Sequence, residues 1–259
     1  TNQSPFSLDL GTTVFELSYQ NVPLGVGTSA NTVIKPGSNT ITLLGALQSH
    51  TNADDLSVVS GLFTRYLNNE ISNVTATGVS TLQSDNSTIS WLSVGLQALK
   101  LTVPLVSPTP IVPINSIAIG NFDLAFDSSN PWGPVAQSNS ITAGLMLPFG
   151  FNVEIGQISN KFNISMEDGS PAAGISTPLG ASTSQISVYG PTNTTGSVDI
   201  VISNTTLACP DPQHQTFSMF NLNLTNEKST NFRIIGSSRA VASLAIGNLT
   251  LDPINVNVS

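Results

Sequence analysis

The sequence predicts an all-β protein with minor helix, made of two β-sandwich modules in tandem. A near-repeat, a period-two hydrophobic pattern and two short helical interruptions lead to this prediction. The repeat consists of three pairs of segments: Phe15-Glu-Leu-Ser-Tyr-Gln-Asn with Phe162-Asn-Ile-Ser-Met-Glu-Asp, Gly37-Ser-Asn-Thr-Ile41 with Gly196-Ser-Val-Asp-Ile200, and Asn73-Val-Thr-Ala-Thr-Gly78 with Asn231-Phe-Arg-Ile-Ile-Gly236. Ile41 precedes Gly78 by 37 residues and Ile200 precedes Gly236 by 36, so two copies of one module explain the pattern better than chance.

Alternation of apolar and polar residues, the pattern of half-buried strands, recurs along the whole chain. Gly, Pro, Asn and Ser separate the alternating segments at spacings typical of sandwiches. The predicted strands include residues 40–44, 122–126, 151–155, 197–202, 220–224 and 254–258.

Two helices and a proline-rich connector interrupt these strands. Apolar residues at helical spacing predict a short helix over Asp54–Leu67, with Asn52 or Asp54 as its N-cap. Residues 90–99 are expected to form a second short helix before a strand at 100–103. The prolines between 104 and 113 predict an extended connector. We therefore assign residues 1–113 to the first module and residues 114–259 to the second.

The two modules are unequal in length. Residues 117–158 precede the Phe162 anchor in the second module, whereas only fourteen residues precede Phe15 in the first. The first module is therefore expected to lack its opening strands. A sandwich without one of its strands exposes backbone donors and acceptors along an edge.

Charged residues are scarce in this chain. They make up 8% of it, against about 25% in an average globular protein, and Ser and Thr contribute about a quarter of the residues. A surface of hydroxyls and amides predicts a secreted or lumenal protein, with the extracellular space or cell surface as the favoured location. The net charge of −8 and the seven scattered basic residues exclude nucleic acid as a partner, because phosphate binding requires clustered Lys and Arg.

Several features bear on processing and compartment. Nine Asn-x-Ser/Thr sequons are compatible with a glycoprotein. Apart from Asn2 and Asn257, the candidates are Asn73, Asn86, Asn163, Asn193, Asn204, Asn223 and Asn248. The single cysteine, Cys209, excludes a disulfide framework and is expected to be a buried apolar residue or an intermolecular thiol. No stretch reaches the roughly 18 to 20 apolar residues of a transmembrane helix. With neither an initiator Met nor a signal peptide, the chain is expected to be a processed product or an excised ectodomain.

One segment of the second module resembles a known domain. Phe122-Asp-Leu-Ala-Phe-Asp-Ser-Ser-Asn-Pro-Trp132, followed by Ile141-Thr-Ala-Gly-Leu-Met-Leu-Pro-Phe-Gly150, is similar to the late-embryogenesis-abundant group-two domain, also called the water-stress and hypersensitive-response domain. Over most of its length the chain resembles an uncharacterised fungal family of lumenal and secreted proteins, related to a vacuolar membrane protein implicated in ending autophagy. The resemblance implies immunoglobulin-like β-sandwiches of this type, a capacity to bind lipid, and the vacuolar lumen as an alternative location. It supplies no catalytic residues.

Groups able to act in acid–base or nucleophilic catalysis are few and far apart. Neither His50 nor His214 lies near a Gly-x-Ser-x-Gly elbow, and both are interpreted as ordinary exposed or capping residues. A Cys209–His214 pair would need an orienting residue and an oxyanion site. Asp9-Leu-Gly-Thr-Thr13 has no second copy, which an aspartic-protease site requires. We therefore expect no enzyme and no catalytic or cofactor-binding residues.

The remaining candidates for ligand binding each have a simpler interpretation. Asp54 and Asp55 fit the acidic first turn of a helix better than a metal site. Asp123 and Asp127 share a strand face that is expected to be solvated. Trp132 is either a carbohydrate-stacking platform or, as we favour, a core or hinge residue. No metal site is expected.

Two functions follow as hypotheses. The first is a structural or interaction protein, a homo-oligomer that associates through strand edges and forms filaments if a neighbour's terminal strand completes the first module. Its assembly candidates are Thr1, Phe6, Leu8, Leu10, Ile254, Val256 and Val258. The alternative is a lipid-binding module, which requires an apolar groove or cavity between the sheets.

Overall fold

The computed structural model describes residues 3–190, 193–226 and 230–259 and consists mostly of β-strands, which confirms the all-β class. It divides into two compact units. The first comprises Thr1–Leu62 and Ile71–Val106, and the second comprises Phe63–Glu70 and Ser107–Ser259.

The first unit contains one five-stranded sheet with the strand order β3-β2-β1-β4-β5. Its elements in chain order are β1 (Leu8–Tyr19), β2 (Val22–Ile34), β3 (Leu44–Leu47), α1 (Ala53–Leu67), β4 (Ser72–Leu82), α2 (Ser90–Gln97) and β5 (Lys100–Leu105). The last turn of α1, from Phe63, belongs to the second unit. Neighbouring strands in the sheet all run antiparallel.

Local sequence explains the two helices of this region. Asn52 caps α1, since its Oδ1 accepts the Asp54 N–H at 2.9 Å, and the acidic first turn and the basic last turn both suit the helix dipole. Helix α2 packs on β4 through Leu96, which joins Phe15 and Ala76 in a buried cluster. Gly78 permits this close packing, because a Cβ there would lie 2.6 Å from Leu96 Cγ.

The second unit contains an eight-stranded antiparallel sheet with the order β13-β12-β9-β10-β11-β8-β6, and β7 also pairs with β8. Its elements in chain order are β6 (Ile114–Ile119), β7 (Asp123–Asp127), β8 (Asn130–Leu147), β9 (Glu154–Ser165), β10 (Pro171–Val188), β11 (Thr194–Ala208), α3 (His214–Asn226), β12 (Arg233–Leu244) and β13 (Gly247–Val258). The two end strands, β6 and β13, contact each other, so the sheet curls round its apolar face.

The core of this unit lies under α3. Phe217 and Phe220 of α3 are almost fully buried against Ile164 of β9, Ile175 of β10 and Leu207 of β11. These strand residues belong to alternating segments, so the period-two pattern brings them onto one face. Helix α3 thus covers the face of the sheet that the strands leave apolar.

The two sheets share a strand order. Strands β3-β2-β1-β4-β5 correspond to β11-β10-β9-β12-β13, and a helix precedes the fourth strand of each set. The anchors of the repeat match in register, since Phe15 pairs with Gly78 in the first sheet and Phe162 with Gly236 in the second. Within the described residues, the first sheet has no counterpart of β6, β7 or β8. The immunoglobulin-like form of the late-embryogenesis-abundant type stays a prediction.

Three local predictions were wrong. Residues 220–224 lie in α3 and not in a strand, because Phe217, Phe220 and Leu224 also fit helical spacing and then face the core together. Residues 40–43 precede β3, so the anchor Ile41 lies outside any strand whereas Ile200 lies within β11. A strand was predicted over residues 151–155, but β9 begins only at Glu154, so residues 151–153 lie outside it.

Candidate binding cavity

An apolar cavity of about 310 Å³ lies inside the second unit. Its lining comes from strand β6 and the turn that follows it, from strands β8, β9, β10, β11 and β12, from the segment before β12, and from α3. Among the residues that the structure describes, the lining side chains are mostly Ile and Phe, with Asn121, Asn160 and Thr230 as polar members and no charged residue.

Strand alternation explains why the lining is apolar. Phe162 and Ile164 of β9 are two residues apart and so project from the same face, as do Ile200 and Ile202 of β11. On α3, Phe220 and Leu224 are separated by four residues and share one side of the helix. Protein interiors are normally packed with few voids larger than a water molecule, so the space of about 310 Å³ between these side chains is a distinctive feature of this unit.

A buried polar network crosses the inner face at one side of the cavity. Asn160 of β9 is 5% exposed, and its Oδ1 accepts a hydrogen bond from Ser238 Oγ at 2.7 Å. Asn160 Nδ2 makes a long 3.4 Å contact to Thr177 Oγ1 of β10. An amide nitrogen has two hydrogens to donate, so Asn160 retains donor capacity beside the cavity.

The turn between β6 and β7 forms the exposed part of the lining. Gly120 and Asn121 line the cavity and are exposed to solvent. Asn121 is held in place because its carbonyl oxygen accepts a 2.6 Å hydrogen bond from Ser138 Oγ of β8. We therefore locate the entrance of the cavity at this turn.

The predicted assembly residues lie in different environments. Phe6 and Leu8 are exposed and Leu10 is buried, while Thr1 lies outside the described residues. The other three belong to β13, where Ile254 and Val256 are buried and Val258 is half-buried. Strand β13 pairs with β12 of the same chain along its whole length.

The predicted glycosylation sites are accessible with one exception. The exposed asparagines are Asn73, Asn86, Asn163, Asn193, Asn204 and Asn248. Asn223, on α3, is half-buried. Attachment of glycans to these residues stays a prediction.

Trp132 and His214 form a stacked pair at the start of α3. Their ring centroids lie 3.8 Å apart with an interplanar angle of 7°, and His214 Nε2 lies 3.4 Å from Asp211 Oδ1. Trp132 also meets Phe217 edge-on. Trp132 therefore closes one end of the core, with its outer edge in solvent, and one of its faces is occupied by the imidazole.

Cys209 lies beside this pair but has none of the features of a nucleophile. It is buried, and its N–H donates to the Trp132 carbonyl oxygen at 3.2 Å. Burial of the thiol, followed by the negative charge of Asp211, raises the pKa of Cys209. A raised pKa keeps the group in the thiol form, whereas nucleophilic attack requires the thiolate.

We predict that Cys209 is strongly protected from alkylation in the folded protein. Its 7% exposure and raised pKa should slow the reaction with iodoacetamide at neutral pH by at least about 100-fold relative to the urea-unfolded chain. Mass spectrometry over a time course measures this ratio. Equal rates in the two states would mean that the site opens on the timescale of labelling.

The other candidate residues are not gathered into one site. His50, which was expected to be an exposed or a capping residue, is buried, and its Nδ1 lies 3.8 Å from Asp55 Oδ2. Asp9 Oδ1 accepts the Gly11 N–H in a local turn. Asp127 Oδ1 accepts the Ser129 N–H at 2.8 Å, which lowers the pKa of this carboxyl.

Two findings apply to the described part of the chain as a whole. It holds no group of three or more His, Cys, Asp or Glu side chains able to bind a metal ion. It also holds no helix with the length and apolar character needed to cross a membrane.

Sequence reasoning did not identify the cavity residues. The pairs Ile117/Ile119 and Ile200/Ile202 are visible as alternating apolar positions, and such positions line a filled core just as well as a cavity. The volume left between them depends on the curvature of the sheet, which a single sequence does not reveal.

No family model, no curated protein and no solved structure matches this chain. The geometry of the cavity is therefore the basis for assigning a function. The resemblance to the late-embryogenesis-abundant group-two domain stays a prediction.

Proposed function

We propose that the second unit binds an uncharged, mainly apolar small molecule in its internal cavity. The observation that carries this proposal is a space of about 310 Å³ lined mainly by Ile and Phe, with no charged side chain among the described residues. Ligand sites in proteins are commonly cavities of roughly 300 Å³ or more with apolar walls and a few polar groups. The proposal agrees with the lipid-binding alternative that the resemblance to the late-embryogenesis-abundant group-two domain implies.

The volume of the cavity limits the size of the ligand. A water molecule occupies about 30 Å³ of liquid, so the cavity accommodates on the order of ten groups of that size. A single alkyl chain of medium length satisfies this limit. A two-chain lipid would have to leave most of its mass outside.

The polar groups of the lining specify the chemistry of the ligand further. Transfer of an unpaired charge from water into an apolar site costs far more free energy than transfer of a hydroxyl that forms a hydrogen bond there or of an alkyl chain. The buried Asn160 amide offers donor capacity, and Asn121 lies at the entrance. A medium-chain alcohol, ester or similar molecule with one oxygen acceptor therefore fits best.

Titration with three ten-carbon probes tests the proposal. We expect 1-decanol to bind with one molecule per chain, and decanoate and decylamine to bind at least about tenfold more weakly, a difference of about 1.4 kcal/mol. Native mass spectrometry gives the stoichiometry and calorimetry gives the affinity. Decanoate is an anion and decylamine is a cation, so the net charge of −8 on the chain repels one and attracts the other. A loss of affinity shared by both probes therefore reports the desolvation cost of burying a charge.

Failure of 1-decanol to bind at all would refute the proposed function. Equal binding of all three probes would refute the requirement for an uncharged ligand and point to adsorption at the surface. Neither result depends on the oligomeric state of the protein.

Self-association through strand edges, secretion and glycosylation stay predictions, as does the absence of catalysis. Strand β13, which was predicted to complete the first module of a neighbouring copy, pairs with β12 of its own sheet. It could join a neighbour only if that pairing broke. We therefore place ligand binding in the cavity ahead of self-association as the proposed function.

A further inference from the structure

The free edge of β3 in the first unit has a counterpart in the second unit that is covered. In the first sheet, Phe15 of β1 pairs with Gly27 of β2, which in turn pairs with Gly45 of β3. In the second sheet, Phe162 of β9 pairs with Ile175 of β10, which in turn pairs with Leu207 of β11. Strand β8 covers β11 near this position, since Thr206 pairs with Val135, whereas β3 ends its sheet. The fold therefore contains one occupied and one open version of the same edge.

The exposed side chains of the β3 edge are apolar. Leu44 is 71% exposed and Leu47 is 40% exposed, and all four residues of the strand are classed as exposed. Gln48 donates its N–H to Leu24 O at 2.8 Å, so alternate backbone groups point away from β2. By this alternation the N–H and C=O groups of Gly45 and Leu47 point outward and are available to another strand.

Apart from its short length, this edge lacks two common features by which proteins protect edge strands, charge and proline. Residues 40–49 contain no charged residue and no proline, whereas β5, at the other end of the same sheet, contains Lys100 and Pro104. Charged side chains and prolines on an edge strand discourage pairing with another chain. The contrast within one sheet indicates that β3 accepts a strand and β5 does not.

We propose that the occupant of this edge is β3 of a second copy of the chain, paired antiparallel about a twofold axis. With Ala46 on the axis, Gly45 of each copy faces Leu47 of the other, and the outward backbone groups of both form hydrogen bonds. The small side chains at 45 and 46 allow close approach, and Leu44 adds apolar contact. A twofold contact closes on itself, so it yields a dimer and no filament.

A second copy is the proposed occupant because the edge is complementary to itself: about Ala46, the outward backbone groups of Gly45 and Leu47 match those of another β3. Each chain carries a net charge of −8, which opposes association in general, but the contact itself contains no charged residue and adds no local repulsion. Because four-residue strands bury little surface, we expect a weak dimer that depends on concentration.

Sedimentation velocity on the full chain tests this inference with a matched pair of variants. Over about 1 μM to 1 mM, the range of weak complexes, the wild type is expected to shift from 27.0 kDa to twice that mass. Ala46→Lys places two like charges opposite each other across the axis and should raise the dissociation constant at least tenfold. Thr102→Lys adds the same charge at exposed β5 and should leave dimerisation unchanged.

Two results would overturn the inference. One is a wild type that stays monomeric over the whole range. The other is an Ala46→Lys variant that associates as the wild type does, which would assign the interface to another surface. Ala46 is exposed, so its substitution should not disturb the fold, and an unchanged circular dichroism spectrum and melting temperature in both variants would verify this. The cavity proposal and the dimer inference thus fail independently.

Discussion

Replacement of Ile202 by Trp is expected to abolish binding of 1-decanol in the second unit. Ile202 lines the cavity, is half-buried and packs against the core cluster. A Trp side chain that extends inward from this position would occupy a large part of the 310 Å³. We expect at least about a tenfold loss of affinity, or about 1.4 kcal/mol.

The stability of this variant separates cavity filling from disruption of the core. Extra atoms forced into a packed core cost about 1–3 kcal/mol, whereas atoms that enter an existing space gain contacts. We therefore expect a melting temperature no lower than that of the wild type, measured by circular dichroism.

Val201→Trp provides the matched control for this experiment. Val201 precedes Ile202 on β11 but is 61% exposed, because successive residues of a strand face opposite sides. The control should bind 1-decanol as the wild type does. If Ile202→Trp folds and binds 1-decanol with wild-type affinity, the ligand does not occupy the cavity.

Replacement of Phe217 by Ala is expected to cause the largest loss of stability. Phe217 is 1% exposed and contacts the rings of Phe220 and Trp132, with centroids 6.4 Å away in each case. Truncation of a buried Phe costs about 3–5 kcal/mol, because burial is lost and a cavity remains. Urea unfolding of the second unit should show this decrease in free energy.

The position of Phe217 on α3 links this loss to ligand binding. The same helix presents Phe220 and Leu224 to the binding cavity, so loosening α3 should also weaken 1-decanol binding. Met219→Ala is the control, since Met219 is on α3 but 54% exposed and should change stability by less than about 0.5 kcal/mol. Equal effects of the two substitutions would mean that α3 does not contribute to the core as described.

Helix α3 illustrates where sequence reasoning reached its limit. Residues 220–224 alternate in polarity as a strand would, yet they also satisfy helical spacing when Phe217 is included. Short segments can fit both periods. The choice is made by the core of the second unit, where Phe217 and Phe220 are buried together.

The sequence by itself determined the all-β class, because alternating polarity is a local property of strands. Repetition of the same pattern also indicated which segments are equivalent, and Phe15 and Phe162 do pair with Gly78 and Gly236. The scarcity of basic residues predicts that nucleic acid is not a partner for a similarly simple reason, since a patch cannot form without basic residues.

Only the tertiary structure decided that the second unit encloses a cavity and that the edge of β3 is open. Both depend on contacts between residues far apart in sequence: the curl that brings β6 to β13, and the absence of any strand beside β3 in the described sheet. Alternating polarity specifies which face of a strand is apolar. It does not specify how closely that face is packed or which strand lies next to it, because those follow from the packing of the whole chain.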